Sequence, residues 1–197
     1  MYCLNVHVNG RLLCAAGAAE AAMVTADIHG SLFGEEVASL RIAGMQDLPG
    51  NRSAHVYWIE ELSLKAGDVL EFMPAEQDTA TQPIVVRPTD SAEHLEDQRQ
   101  YDEFLSAHIW PQPEQKESRP SLQYTLSVSG SAPLKARLPL GHQHLVCDAL
   151  WNMWQPTRTR VSARSFVGHS QAADLRKLEW LRADLPLGQT LRVEIRA

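Results

Sequence analysis

Alternation of apolar and polar residues dominates this chain. Leu191, Val193 and Ile195 point one way and Arg192, Glu194 and Arg196 the other, the period-2 signature of a half-buried strand. Leu4-Asn5-Val6-His7-Val8-Asn9-Gly10 shows the same alternation and ends on glycine, as a strand entering a turn does. Tyr124-Thr125-Leu126-Ser127-Val128-Ser129-Gly130 repeats it. Val37 to Gly44 is matched by Val161 to Gly168, another strand that stops at glycine. His55 to Leu64 then aligns with Lys177 to Leu187, with one inserted residue and Trp58 opposite Trp180. Each of these is followed by a glycine turn (Gly67, Gly188) and a closing strand, Leu70-Glu71-Phe72 or Leu191 to Ile195. Landmarks in the same order, roughly 120 residues apart, predict an internal duplication.

Two segments break the period. Leu175, Leu178, Leu181 and Leu185 recur at helical spacing behind Asp174, a residue suited to an N-cap. Val56, Ile59 and Leu62 repeat that spacing behind Ser53. A short helix crossing the mouth of each sheet is the expectation, with Trp58 and Trp180 as equivalent packing residues, or alternatively as a paired ligand platform. Between the copies, Pro83 to Arg87 reads as a short strand ended by Pro88. From Asp90 to about His108 the chain lacks proline and glycine and is rich in Glu, Gln, Arg and Leu, which predicts a charged helix. Trp110-Pro111-Gln112-Pro113 ends it, and a polar linker runs on to Pro120.

The expected fold class is therefore mainly β, with α+β as the alternative that the short helices keep open. Residues 1–82 and 121–197 form two similar units, each resembling a β-sandwich or open barrel, and 83–120 supply a strand, an acidic helix and a proline-containing linker. The units are expected to pack as a pseudo-dimer, since duplication commonly fuses what a single unit achieves by pairing with itself.

Composition agrees with a globular protein and excludes little else: 197 residues, 44% hydrophobic and 21% charged. No run approaches the ~18 apolar residues of a membrane helix. Leu12 to Gly17 faintly resembles a lipoprotein cleavage region, but Asn5, His7, Asn9 and Arg11 interrupt any apolar stretch before it, so no signal peptide is expected. Cys3, Cys14 and Cys147 are an odd set without short-range pairing, as suits free thiols in a reducing cytoplasm.

Leu13-Cys14-Ala15-Ala16-Gly17 after an Asn-Gly strand end, with the stretch His55 to Phe72, resembles a group of short bacterial β-rich proteins that have no assigned activity. Leu178-Glu179-Trp180-Leu181 and its closing strand resemble the C-terminal part of the same group. The resemblance covers about two-thirds of the chain as a doubled unit. It implies a bacterial, cytoplasmic protein and supplies no catalytic residues. The second copy departs from the pattern, with Lys135-Ala136-Arg137-Leu138 in place of the Cys-Ala-Ala-Gly element.

Candidate chemistry is sparse. On a strand, His142 and His144 would share a face and offer two imidazoles to a metal, with Cys147 or Asp148 near. A structural zinc site needs four ligands, and no second pair at zinc-ribbon spacing exists, so no cofactor is expected. Cys14 and Cys147 lack a family signature of nucleophilic catalysis, and no serine sits in a Gly-x-Ser-x-Gly elbow. Nor is there a phosphate loop.

Charge is more informative. Residues 1–82 carry four basic and eleven acidic side chains, 83–120 four and eight, and 121–197 ten and five. The mild overall −6 thus hides −7, −4 and +5. Arg158, Arg160 and Arg164 are expected to line one face of a strand beside Trp151 and Trp154. Arginine and tryptophan together suit interaction hot spots and also single-stranded nucleic acid, although the acidic copy would repel a phosphate backbone. The stripe either docks on the acidic part of its own chain or binds an acidic protein partner. The expected function is a non-catalytic protein-interaction or binding module, with a small-molecule binder or enzyme whose site lies between the units as the alternative.

Overall fold

The alternating segments are strands almost throughout. The computed structural model describes residues 1–17, 21–92, 94–96, 98–100, 119–167 and 177–197. In chain order the strands are β1 (Tyr2–Val8), β2 (Arg11–Gly17), β3 (Met23–Ser31), β4 (Ala38–Leu48), β5 (Arg52–Leu64), β6 (Val69–Glu76), β7 (Val85–Pro88), β8 (Gln123–Val128), β9 (Leu134–Arg137), β10 (His144–Asn152), β11 (Arg158–Phe166), β12 (Leu178–Pro186) and β13 (Leu191–Arg196). Tight turns join several of them. Asn9 and Gly10, at φ of 51° and 77°, take the left-handed conformations that a two-residue hairpin turn between β1 and β2 requires. Between β4 and β5 the three-residue connection Pro49-Gly50-Asn51 places Gly50 and Asn51 in left-handed conformations as well, at 80° and 58°.

The strands form two antiparallel sheets, β2-β1-β6-β13-β8-β9 and β12-β11-β10-β3-β4-β5-β7. Residues 1–82 and 121–197 were expected to make separate units; instead each places three strands in each sheet. Within either half, β3 and β6 (or β10 and β13) would be left with bare edges beside the core. Pairing β3 with β10 and β6 with β13 satisfies those backbone groups. The pairings are reciprocal. Ala26 opposes Ala149 while Ile28 opposes Cys147, and Leu70 opposes Val193 while Phe72 opposes Leu191. Register within the halves corresponds as well: Ala26 faces Ile42 in β3–β4 as Cys147 faces Ala163 in β10–β11. The two halves thus share strand order and register about a two-fold running through both seams.

The inner faces of both sheets meet in one core. Leu4, Val6, Leu70, Phe72, Tyr124, Leu126, Leu191 and Val193 come from the six-stranded sheet. Val24, Ile28, Leu40, Ile42, Val56, Cys147, Trp151 and Val161 come from the other. Tyr124 crosses between the sheets and its hydroxyl donates to the Leu145 carbonyl at 3.1 Å. Gly30, the partner of Leu145 on β3, makes room for it: a Cβ there would lie 2.4 Å from the Tyr124 oxygen.

The short helices expected at the mouth of each sheet are strands, β5 and β12. Both strands are bulged, and the bulges explain the helical spacing. Trp58 is the extra residue between the Ile42–Ile59 and Ala43–Tyr57 pairs, and Trp180 the extra residue between Ala163–Leu181 and Arg164–Glu179. Glu60 and Glu61 together oppose Arg41, a second bulge. One inserted residue turns an apolar spacing of two into three, which mimics a helix. Ser53 lies inside β5, while Asp174 and Leu175 fall outside the described residues.

The segment between the halves begins with a strand, β7, as its sequence predicts, on the outer edge of β5. Residues 92, 94–96 and 98–100 are helical behind Ser91, whose Oγ accepts from the His94 amide at 3.2 Å. The rest of the expected acidic helix and the Trp110–Pro113 stretch lie outside the described residues. Arg119 returns the chain to the fold by donating to four carbonyls of the β3–β4 loop, those of Ser31, Phe33, Gly34 and Glu35.

Candidate functional site

Polar residues at alternate positions of β3, β4, β5, β10 and β11 gather on the outer face of the seven-stranded sheet. One row crosses the seam: Ser162, Asp148, Asp27 and Arg41 are successive neighbours on β11, β10, β3 and β4. Asp27 and Asp148 are thus two carboxylates placed directly opposite each other. Burial, then the Asp148 charge, push the Asp27 carboxyl above the usual carboxylate range; a hydrogen bond from Thr25 and the charges of Arg41 and Arg164 oppose the shift. Asp148 accepts from the Ser162 hydroxyl at 2.7 Å and pairs with Arg164 at 3.5 Å.

A groove of about 460 Å³ opens on the first half of this face. Asp27, Glu60 and Glu61 bring negative charge to it, and Arg41 and Arg87 positive charge. Tyr57 stands between the two guanidinium groups, which lie 5.2 and 5.3 Å from its ring centre, and its hydroxyl accepts from Arg41 at 3.3 Å. Arg87 also pairs with Glu60 at 2.7 Å. These residues come from four strands, and apart from the adjacent Glu60 and Glu61 the sequence groups none of them. For Asp27, Arg41, Tyr57 and Arg87 the usable signal was parity, since each occupies an outward position of an alternating strand, whereas Glu60 and Glu61 sit together at the bulge opposite Arg41. A second groove of about 280 Å³ adjoins it, bounded by Phe33 and the Glu35–Glu36 loop.

The histidines expected to share a face do not. His142 lies in the turn before β10, its Nδ1 2.9 Å from the Ser165 hydroxyl. His144 is the first residue of β10, and its Nδ1 sits 3.2 Å from Nε2 of His29, the rings stacked at 5.2 Å. Phe166 stacks on His144 from the neighbouring strand, with centroids 5.2 Å apart. Cys147 points the other way into the core, where burial pushes its thiol far above its ordinary range. The three weak metal candidates are therefore dispersed. Among the described residues, no three His, Cys, Asp or Glu side chains are grouped to hold a metal ion. Cys3 and Cys14 are buried too, and burial raises the Cys14 thiol to about 12, a poor nucleophile.

Arg158, Arg160 and Arg164 occupy outward positions of β11, as their spacing predicts. Their partners are Asp184, at 3.8 Å from Arg158 and 4.0 Å from Arg160, and Asp148 beside Arg164. Trp151 is not beside them. It is fully buried on the inner face of β10, its indole nitrogen donating to the Pro156 carbonyl at 3.0 Å, and it belongs to the core. Cys147, Ala149 and Trp151 share one parity on β10, so the apolar side of that strand was readable. Trp154 is on the turn that follows and is 72% exposed.

No helix among the described residues is long and apolar enough to cross a membrane. Comparison of the chain with protein-family models, with characterised proteins and with solved structures finds no match in any of the three.

Proposed function

We propose that this is a non-catalytic protein-binding module of the bacterial cytoplasm, presenting the outer face of the seven-stranded sheet to an acidic partner. The observation that carries the reading is the arginine stripe of β11. Its side chains are exposed and held to carboxylates only at 3.5 to 4.0 Å. The pairs of Arg158 and Arg160 with Asp184 are exposed and contribute about 0–1 kcal/mol, so carboxylates of a partner can replace Asp184 at little cost, while Arg164 stays against the largely buried Asp148. Trp154 adds an exposed aromatic side chain on the turn leading into that strand. The contact between the halves is packed core, which favours a surface interaction over a site between units. The bacterial source and compartment rest on the resemblance described above. The test is affinity capture from a lysate of the parent organism, comparing the protein with its Arg158→Glu/Arg160→Glu/Arg164→Glu variant. An acidic protein retained by the first and lost by the second, with unchanged circular dichroism, supports the reading; equal capture by both overturns it.

The groove around Tyr57 favours a second reading, a small zwitterionic ligand, because carboxylates and guanidinium groups face each other across it. Amino acids and short peptides that raise the melting temperature of the protein, and fail to do so with Arg41→Ala, would support it. A long nucleic acid is disfavoured by the net −7 of residues 1–82. Retention on heparin that falls steeply with salt and disappears in Arg158→Ala/Arg160→Ala would revive that possibility.

We also read the two halves as copies of one ancestral unit. Equal strand order, reciprocal seam pairings and matched register support this origin.

A further inference from the structure

The two-fold makes the β3–β4 loop and the β10–β11 turn equivalent, and the same backbone bonds close both. Leu32 and Met153 each donate an amide to the opposite half, to the carbonyls of Gln143 at 3.0 Å and Ala22 at 2.9 Å. Phe33 and Trp154 each donate to the side chain two residues earlier, Ser31 Oγ and Asn152 Oδ1, both at 3.1 Å. Their apolar side chains nevertheless end up in different surroundings. In the first half Leu32 is 6% exposed, and Phe33 is half-buried with its ring edge-on to His144. In the second, Met153 is 46% and Trp154 72% exposed.

The exposed turn is firmly held. Asn152 Oδ1 also accepts from the Gln155 amide at 3.0 Å, and the buried Trp151 indole ties down the Pro156 carbonyl. The Leu187 amide, from the connection between β12 and β13, donates to the Thr157 carbonyl at 3.0 Å. A large aromatic side chain carried on backbone that is already ordered loses little freedom on association, which is the property of an interface hot spot.

What flanks the turn selects the chemistry of the partner. Arg158 Nε donates to Gln155 Oε1 at 2.9 Å, which holds this guanidinium at the base of the turn. Arg160 follows on β11, opposite the half-buried Leu150 of β10. Both guanidinium groups share Asp184, at 3.8 and 4.0 Å. Two cations on one carboxylate leave positive charge in excess beside an apolar tip.

We propose that the β10–β11 turn anchors an acidic protein segment: a large apolar side chain of the partner packs on Trp154 and Met153, and carboxylates flanking it displace Asp184 from Arg158 and Arg160. This rests on the arginine-stripe reading above. It adds the apolar residue that must stand between the carboxylates, and it concentrates the affinity at Trp154.

The test uses the full chain labelled with fluorotryptophan, the Trp154 signal being assigned in the fluorine NMR spectrum with Trp154→Phe. Two synthetic peptides, Glu-Glu-Phe-Glu-Glu and Glu-Glu-Ala-Glu-Glu, are titrated at low salt. The Phe peptide is expected to shift the Trp154 signal and to bind about tenfold tighter than the Ala peptide. Trp154→Ala, at an exposed position, should keep the circular dichroism of the wild type and lose that preference. Arg158→Glu/Arg160→Glu should lose both peptides. Equal binding of the two peptides, or no shift of the Trp154 signal, overturns the anchor. If the equal binding is still lost in the arginine variant, the stripe reading stands and only the anchor falls. A Phe preference that survives the arginine variant overturns the acidic partner, and the stripe reading with it. A dimer that Trp154→Ala dissociates also overturns the proposal, because the occupant is then a second copy. So does a Trp154 signal shielded from a soluble paramagnetic quencher in the free monomer, where the chain covers itself. Binding to phosphatidylglycerol vesicles that Trp154→Ala removes overturns it in favour of a membrane surface.

Discussion

Trp58 and Trp180 sit at the same bulge of corresponding strands, and their surroundings differ. Trp58 is sealed by the segment that becomes β7 and bonded to the Thr81 carbonyl, while Trp180 is half-buried against the core. Corresponding positions of one fold are therefore buried to different depths. The first half covers its outer edge with β7, while among the described residues no strand lies beside β12 in the second. The same contrast runs through the core. Tyr124 and Gly30 in one place correspond to Leu4 and Trp151 in the other, so bulk removed from one sheet is supplied by the facing one. Equivalent positions need not carry equivalent residues, provided the summed volume is kept.

The largest test of this contrast is truncation of the two tryptophans. Trp58→Ala is expected to cost about 3–5 kcal/mol in urea denaturation, the range for a buried large aromatic. Trp180→Ala, losing a partly exposed ring, is expected to cost about 1–2 kcal/mol. Equal costs would mean that the two edges are equally closed. The paired volumes are tested next. Gly30→Ala places a Cβ against the Tyr124 oxygen and Leu122, with an expected loss of about 1–3 kcal/mol. Adding Tyr124→Phe removes the nearest clashing atom and should recover part of that loss; no recovery would mean that the strain lies elsewhere.

The smallest expected effect lies at the seam. Opposed like charges on adjacent strands cost about 0.2–1 kcal/mol, so Asp27→Asn should stabilise the protein by that order at neutral pH. The sign of the pH dependence follows from the raised carboxyl of Asp27. The folded state holds its proton to higher pH than the unfolded chain, so this group makes stability fall as pH rises from the ordinary carboxylate value through the elevated one. Thermal melts across that range should show the slope in the wild type and a shallower one in Asp27→Asn. Identical slopes would remove Asp27 as its source.

Much of this was legible from parity alone. The alternation of Leu191 to Arg196 and the Asn9-Gly10 turn predict their elements directly, because strand period and turn conformation are local properties. The arginines of β11 are outward for the same reason. The bulges at Trp58 and Trp180 are less legible, because a strand with an inserted residue and a short helix share a spacing of three. The sharing of both sheets by the two halves was not legible. Nothing local to β3 or β6 says whether its open edge meets its own half or the other. The His29–His144 stack and the Tyr57 groove depend on that same long-range register, and the placement of Trp151 required following the inward parity of β10 rather than its nearness in sequence to the arginines.

The seams also govern the order of events during synthesis. Asp27 and Asp148 meet across one seam, and Leu70 and Val193 across the other, each pair separated by most of the chain. Contacts of such long range are slow to form, because a large loop must close before any of them is made. While the ribosome is still producing the second half, the first has strands β3 and β6 made but their pairing edges vacant. For that interval the chain is exposed to association with other strands, including those of its own copies. The two-fold that completes the fold thus also creates its most vulnerable moment, and β10 and β13 end it on arrival.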